Sequence, residues 1–343
     1  MKIFICEHAC STPAIRSNLA ATARFRGDIL LQALLSDLAI VGDLEISILR
    51  APGYDITDLP QNVRIVPLPA ALPVAAVEAC IQAADAVWPL APESNGLLEA
   101  ISEKVLKHQK ILLGSSPDAI HLAGSKYRTS QALHTAGIPV VTSWRPHATL
   151  PSDVRALVVK PDDGAGCSDT HLFPHQQAAR EWIATQSGSD YVLQPYIAGR
   201  PCNLSLLCSK DAIHLLGCNE QRVAVSDNQF HYMGSTVNSI GDDNGDLLKL
   251  ARRVIAAIPG LWGYVGIDLV ITGAGPVVLG VNPRMTLPHT GLRASLDTNP
   301  AAMLFDLLHS GHCDMPQAKI SRQISIDINA SQLQSRTPVL QHQ

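Results

Sequence analysis

Short apolar runs alternate with helically spaced ones through the first part of the chain. Residues 2–6 (KIFIC) read as a buried opening strand, and residues 45–49, 86–89 and 110–113 as three more. Between them, residues 27–39 (GDILLQALLSDLA), 74–84 and 96–108 carry apolar side chains at the spacing of an amphipathic helix. The most apolar stretch, residues 63–77, is broken by Pro67, Pro69 and Pro73. Strands that alternate with helices predict a parallel, doubly wound lobe. Such a lobe binds ligands at the carboxyl ends of its strands. Two segments there are Glu7-His8-Ala9-Cys10 and Ala91-Pro92-Glu93-Ser94.

From Ser125 the pattern changes. Ser125 can cap a helix running to about residue 135, which Gly137 and Pro139 stop. Strands are expected at 155–160, 170–173 and 191–194, with a helix at 175–185. Residues 203–208 and 212–218 flank Ser209-Lys210-Asp211 and predict a hairpin. Residues 246–258 are amphipathic and helical. Residues 264–272 and 277–281 flank Gly273-Ala274-Gly275-Pro276 as a second hairpin, and a last helix covers 300–309. The segment after residue 333 is expected to be loose.

Composition narrows the function classes. The chain of 343 residues is 46% hydrophobic and 16% charged, so it can bury large cores in two or three lobes. Its formal net charge of −4, scattered basic residues and aromatic fraction of 4% argue against nucleic acid as a partner. The first residues turn polar at Glu7, too early for a secretory signal, and no apolar run is long enough to span a membrane. Eight cysteines form no CxxC pair, and thirteen histidines form no HExxH motif. A cytoplasmic protein with reduced thiols and no membrane association is expected.

Two segments could carry chemistry. In the first, a strand delivers Lys160 and leads into Pro161-Asp162-Asp163-Gly164-Ala165-Gly166-Cys167-Ser168, a loop of small residues whose backbone N–H groups can meet an anion. It is not a Walker A loop, and a Gly-rich surface hairpin remains the alternative. In the second, pairing Thr272 with Pro276 across the late turn sets Asp268 opposite Gly280. Alternation along the strands then puts Asp268, Gly280 and Asn282 on one face. A carboxylate and an amide oxygen together suit Mg²⁺, and Arg284 follows close behind. The alternative is a hairpin with ordinary polar residues at its rim, although an Asp inside GIDLVI is costly to bury unpaired.

The order of these parts resembles the ATP-grasp superfamily. The likeness runs through Ser125-Lys126, Val159-Lys160-Pro161 with its Gly-rich loop, Gln194-Pro195-Tyr196-Ile197, Gly266-Ile267-Asp268 and Asn282-Pro283-Arg284, over most of residues 110–310. The resemblance implies an α/β architecture with an N-terminal doubly wound lobe followed by two α+β lobes that clamp ATP. It divides the chain into an N-terminal domain (1–115), a small lobe (116–200), a C-terminal lobe (201–330) and a tail (331–343). It implies that Lys126 and Lys160 hold phosphates, with Gly164, Ala165, Gly166 and Ser168 around them. Gln194, Tyr196 and Ile197 would line the adenine, although the position of Gln194 is often acidic in the family. Asp268 and Asn282 would hold Mg²⁺, with Mn²⁺ as a substitute, and Arg284 and Lys160 would be catalytic.

One position departs from the family. The usual Glu that bridges two metals is Gly280 here. Glu220, Asp242 and Asp243 are the candidate replacements. The N-terminal segments, with Glu7, Arg24-Phe25-Arg26-Gly27, Asp37 and Ala91-Pro92-Glu93, are similar to the tyramine–glutamate ligases of methanofuran biosynthesis. That likeness implies small-molecule carboxylate and amine substrates and ATP-dependent amide formation, with Arg222 and Arg293 as candidate carboxylate anchors; solvent-facing arginines are the alternative. An amino acid–amino acid ligase and a nucleotide-binding protein without turnover remain open. By family analogy a homodimer is the expected assembly.

Overall fold

The computed structural model describes residues 1–7, 21–50, 56, 59–68, 73–186, 190–313, 322–328 and 341–342. The expected binding segment at His8-Ala9-Cys10, the side chains of Arg24 and Phe25, and nearly all of the expected loose tail lie outside the described residues.

The N-terminal lobe is a parallel sheet in the order β3-β2-β1-β4-β5. Its strands are β1 (Lys2–Glu7), β2 (Glu45–Arg50), β3 (Val63–Pro67), β4 (Ala86–Leu90) and β5 (Ile111–Leu112). Alternation along β1 sends Ile3 and Ile5 to one face, where Leu31, Leu34 and Leu38 of helix α1 (Ala21–Leu38) cover them. Phe4 and Cys6 face the other side, against Ile81 of α2 (Pro73–Ala83) and Val105 of α3 (Leu97–Lys107). Both faces are therefore covered, as a parallel sheet requires. β3 lies inside the proline-broken stretch, where no strand was expected, because Val63 and Ile65 alternate with Arg64 and Pro67 ends the run.

The rest of the described chain is built on antiparallel pairings in the order β13-β12-β9-β10-β11-β7-β6-β8. Here α4 (Pro117–Gly124) and α5 (Lys126–Thr135) start from the caps Ser116 and Ser125, whose side chains accept from the amides of Ala119 and Arg128. α4 is short and was not legible as a helix. The small lobe packs β6 (Leu157–Pro161), β7 (His171–Phe173) and β8 (Tyr191–Pro195) under α6 (Gln176–Ala184), with Leu157, Val159, Ala179 and Leu193 at its core.

The central strands are β9 (Arg200–Cys208), β10 (Ile213–Ser226), β11 (Gln229–Val237), β12 (Gly263–Thr272) and β13 (Gly275–Asn282). α7 (Asp246–Ala257) buries Leu247, Leu250, Ala251, Val254 and Ile255, a helical stripe. They pack on Cys202, Leu204, Leu206, Ile267 and Leu269, which alternate along β9 and β12. Each large side chain buried there contributes about 1.5–3 kcal/mol. The opposite face of the same strands is left for polar residues. β10 runs eight residues past its expected end at 218, because Glu220, Gln221 and Arg222 find ladder partners on β11. A short 3₁₀ turn (Leu287–Gly291), α8 (Leu292–Leu296), α9 (Pro300–Ser310), β14 (Ile324–Asp327) and β15 (Gln341–His342) complete the described chain. The core beneath α1 also contains Tyr264, Leu304 and Leu307, so the first lobe and the last share one hydrophobic interior.

Candidate active site

The β12–β13 hairpin sets the first group of residues. Its turn is tighter than expected: Thr272 pairs with Gly275, whose φ of 116° only glycine adopts readily. A β-bulge at Leu279 then inserts one residue, and Asp268 returns to a position opposite Gly280. The expected pairing of Asp268 with Gly280 is thus reached through a different register.

Asp268 is the centre of an amide cluster. Asn282 Nδ2 donates to its Oδ2 at 2.9 Å, and Asn203 Nδ2 donates to its Oδ1 at 2.8 Å. Gln221 Nε2 donates to the same Oδ1 at 3.1 Å. Asn203 and Gln221 were not singled out in the sequence. Their signal was alternation: Asn203 and Ser205 alternate with leucines, and Asn219 and Gln221 continue the pattern on the next strand. Among the described residues, no group of three or more His, Cys, Asp or Glu side chains could hold a metal. Asp268 is accompanied by amides rather than by a second carboxylate.

The Gly-rich loop, which follows β6, holds the second group of residues. Asp162 anchors its base: Ser125 Oγ donates to Oδ2 at 2.8 Å, the Tyr127 amide donates to Oδ1 at 2.8 Å, and Arg145 Nη2 lies 3.0 Å away. Lys126, at the first position of α5, donates from Nζ to the carbonyls of Gly164 at 2.6 Å and Asp162 at 3.1 Å. Its ammonium rests on two loop carbonyls, a position from which an anion could draw it. Burial pushes the pKa of Lys126 down, against the pull of Asp162, Glu93, Asp163 and Asp268. Lys160 projects from β6 on the face opposite Leu157 and Val159. Enclosure in the cleft, with the neighbouring Lys126 charge, lowers its pKa to about 7, while Cys167 and Asp268 oppose the shift. The Asp268 charge thus acts on both lysines.

The N-terminal lobe reaches the same loop, which sequence reading did not foresee. Ser94 Oγ donates to the Asp163 carbonyl at 2.8 Å, and the Asn95 amide donates to Asp163 Oδ2 at 2.7 Å. Arg26, from α1, donates Nη1 to the Gly166 carbonyl at 3.1 Å. A side chain at Gly166 would collide with that guanidinium, its Cβ falling 1.9 Å from Nη1. Ala165 and Ser168 lie along the same loop, where the Ser168 amide donates to the Ala165 carbonyl at 3.2 Å. Arg284, just past β13, donates Nε to Glu93 Oε2 at 3.0 Å and places Nη2 at 2.9 Å from the same oxygen.

The other expected residues have partners of their own. Gln194 is buried with its amide donating to Ser143 Oγ at 2.7 Å; Tyr196 is exposed and its ring lies near Phe230; Ile197 is half-buried. Glu220 is corrected as a stand-in for the missing Glu: it alternates with Asn219 and Gln221, so β10 turns it to the other face, where it meets Arg200 Nη2 at 2.6 Å. Asp242 is likewise occupied, accepting from the amides of Leu247 and Leu248 at the start of α7. The Asp243 carboxylate lies beside Gly241, its Oδ1 3.6 Å from where a side chain there would begin. Arg222 is tied to Thr236, to the Ile326 carbonyl and to Asp327 on β14. Arg293 reaches back to Ser36 and to Asp37 Oδ1 at 3.3 Å, linking the last lobe to α1. Neither arginine is directed at the Asp268 cluster.

A lysine-bearing strand with a Gly-rich loop, folded over an Asp–Asn hairpin and backed by a parallel-sheet lobe, defines an ATP-grasp architecture. Residues 123–288 match the ATP-grasp domain family and residues 44–120 the pre-ATP-grasp domain family, and the chain belongs to the ATP-grasp superfamily. Among solved structures, an ATP-grasp superfamily protein from Archaeoglobus fulgidus is similar at TM-score 0.71 and 22% identity, over 95% of this chain and 92% of that one. An L-amino acid ligase from Bacillus licheniformis is similar at TM-score 0.70 and 18% identity, over 95% and 79%. These two likenesses speak for the fold alone. A tyramine–L-glutamate ligase from Methanocaldococcus jannaschii is 28% identical over 212 residues, which is 62% of this chain and 58% of the relative. The match therefore spans less than two thirds of that relative. Among the described residues, no helix is long and apolar enough to cross a membrane.

Proposed function

We propose that this chain is an ATP-dependent carboxylate–amine ligase, with L-glutamate and tyramine as the first substrate pair to test. The observation that carries the reading is a chain of contacts: Lys126 bonds the Gly-rich loop, Ser94 and Asn95 bond Asp163 of that loop, the adjoining Glu93 pairs with Arg284, and Asn282 bonds Asp268. The curated relative's name supplies the substrate pair.

The residues fit a nucleotide triphosphate with a hard divalent cation. Lys126 bonds the Gly-rich loop and Lys160 stands on the strand that leads into it, and the group around Asp268 is one carboxylate and three side-chain amides, all able to offer oxygen. Turning the amides of Asn203, Gln221 and Asn282 over would present their oxygens in place of their N–H groups. A bound Mg²⁺ or Mn²⁺ would supply positive charge beside the phosphate oxygens. In the proposed reaction a substrate carboxylate oxygen attacks the γ-phosphorus of ATP and ADP leaves. The amine nitrogen then attacks the acyl carbon, phosphate leaves, and the nitrogen sheds a proton. Lys126 and Lys160 balance the phosphate charge, and Arg284 offers N–H donors beside the reacting groups. The loop clamped by Ser94, Asn95 and Arg26 keeps water from the acyl phosphate.

The test is ADP release from Mg-ATP with L-glutamate and tyramine together, against each alone. Release that needs both supports the ligase. Asp268→Asn is expected to lower the rate at least about a hundredfold, roughly 3 kcal/mol of transition-state stabilisation. A second reading, nucleotide binding without turnover, is favoured by Gly280, since the side chains that bond Asp268 among the described residues are amides. ATP binding without ADP release in any substrate mixture would select it.

A further inference from the structure

The loop after β4 buries a carboxylate that the proposed reaction leaves half used. Glu93 is 8% exposed. Its Oε2 takes both contacts from Arg284, at 3.0 and 2.9 Å. Its Oε1 is buried and has no hydrogen-bond partner among the described residues. Leaving a buried carboxylate oxygen without a donor is costly, and such orphans call for an explanation. The surroundings point to the cleft. The Glu93 charge acts on Lys126, which itself bonds the Gly-rich loop. The next two residues, Ser94 and Asn95, hold Asp163 of the Gly-rich loop. Glu93 therefore stands where the N-terminal lobe, the nucleotide loop and Arg284 meet. It also stands beyond the carboxyl end of β4, where a parallel sheet exposes its binding edge.

A group that satisfies Oε1 must donate a hydrogen bond, and it is favoured by positive charge. Arg284 is already committed to the other oxygen, and Lys126 to loop carbonyls. Resting on the ligase reading, we propose that Glu93 Oε1 is the docking point for the primary ammonium group of a substrate. Two sources carry that chemistry: the ammonium of the amine, and the α-ammonium of an amino acid that supplies the carboxylate. Arg284 then has a double role, facing the reacting groups and holding the Glu93 carboxylate in the rotamer that keeps Oε1 free.

The test is calorimetric binding to the full chain loaded with Mg²⁺ and a non-hydrolysable ATP analogue, with tyramine and L-glutamate as separate probes. Glu93→Gln is expected to weaken one probe at least tenfold while the affinity for the ATP analogue changes less than twofold. The probe that weakens identifies the source. Tyrosol, tyramine with a hydroxyl in place of the ammonium, should bind both proteins alike, and Glu93→Asp should recover part of the lost affinity. Equal binding of both probes to wild type and Glu93→Gln overturns the proposal. So does a parallel loss of nucleotide affinity, which would make Glu93 a support for Arg284 alone, and so does a wild type that binds neither probe. ADP release, followed in the same preparations, separates the two readings: a selective binding loss without ADP release sinks the ligase but leaves the ammonium site standing.

Discussion

Asp268 faces Gly280 directly across the β12–β13 pair, and nothing lies within 4 Å of where a side chain at Gly280 would begin. The carboxylate keeps its strand position and its amide neighbours, while the place beside it is open. The hydrogen-bonded group around Asp268 is therefore one carboxylate and three amides.

Because the space is open, Gly280→Glu should fold without steric penalty, and replacing a strand glycine should leave stability unchanged or slightly higher. The added carboxylate on the Asp268 face should tighten Mn²⁺ binding by about tenfold or more. Electron paramagnetic titration of free Mn²⁺, with a melting curve beside it, checks both; an unchanged Mn²⁺ affinity would show that the new side chain does not reach the cluster.

Lys160 should make nucleotide binding depend on pH. Its pKa of about 7 in the free protein leaves it protonated below that value and neutral above it. A triphosphate prefers the charged form, so ATP affinity should fall as pH rises through 7 and beyond. Lys160→Met should bind more weakly at pH 6 and show a flatter profile, which fluorescence titration across pH 6–9 would reveal.

Asp163→Ala removes the acceptor for the Asn95 amide but leaves the Ser94 contact, which goes to the Asp163 backbone. The Gly-rich loop should then hold the N-terminal lobe less tightly. The expected result is a rise in ADP formed per amide made, by about two- to fivefold, as water reaches the acyl phosphate. Product stoichiometry decides it, and a ratio unchanged from wild type would deny the clamp its role.

Arg293 and Asp37 tie α1 to the last lobe. Burial raises the Asp37 pKa to about 6 from 3.8, against the opposing pull of Arg293. Between these values the folded protein binds more protons than the unfolded chain, so this group lowers stability as pH rises from about 4 to about 6. Arg293→Ala removes the opposing charge, so the loss should deepen and extend to higher pH, by about 1 kcal/mol after allowance for solvent screening at a partly exposed arginine. Denaturant melts at several pH values measure it, and kinetic constants should stay near wild type.

The sequence by itself determined the order of elements and the residues that ride on local periodicity. A five-residue strand ending in a loop of small residues fixes the position of Lys160, and strand alternation fixes the face shared by Asp268 and Asn282. Ser125 was legible as a cap because a cap is a local hydrogen bond. Tertiary structure decided what stands around them. It brought Glu93 to Arg284 across 191 positions and Arg26 to Gly166 across 140. It gave Asp268 the amides of Asn203 and Gln221, and it turned Glu220 away. The physical reason is one of range. Backbone periodicity sets which side of its own strand a side chain takes, but the sheet order and the packing of the lobes choose the neighbours it meets there, and no local pattern encodes that choice.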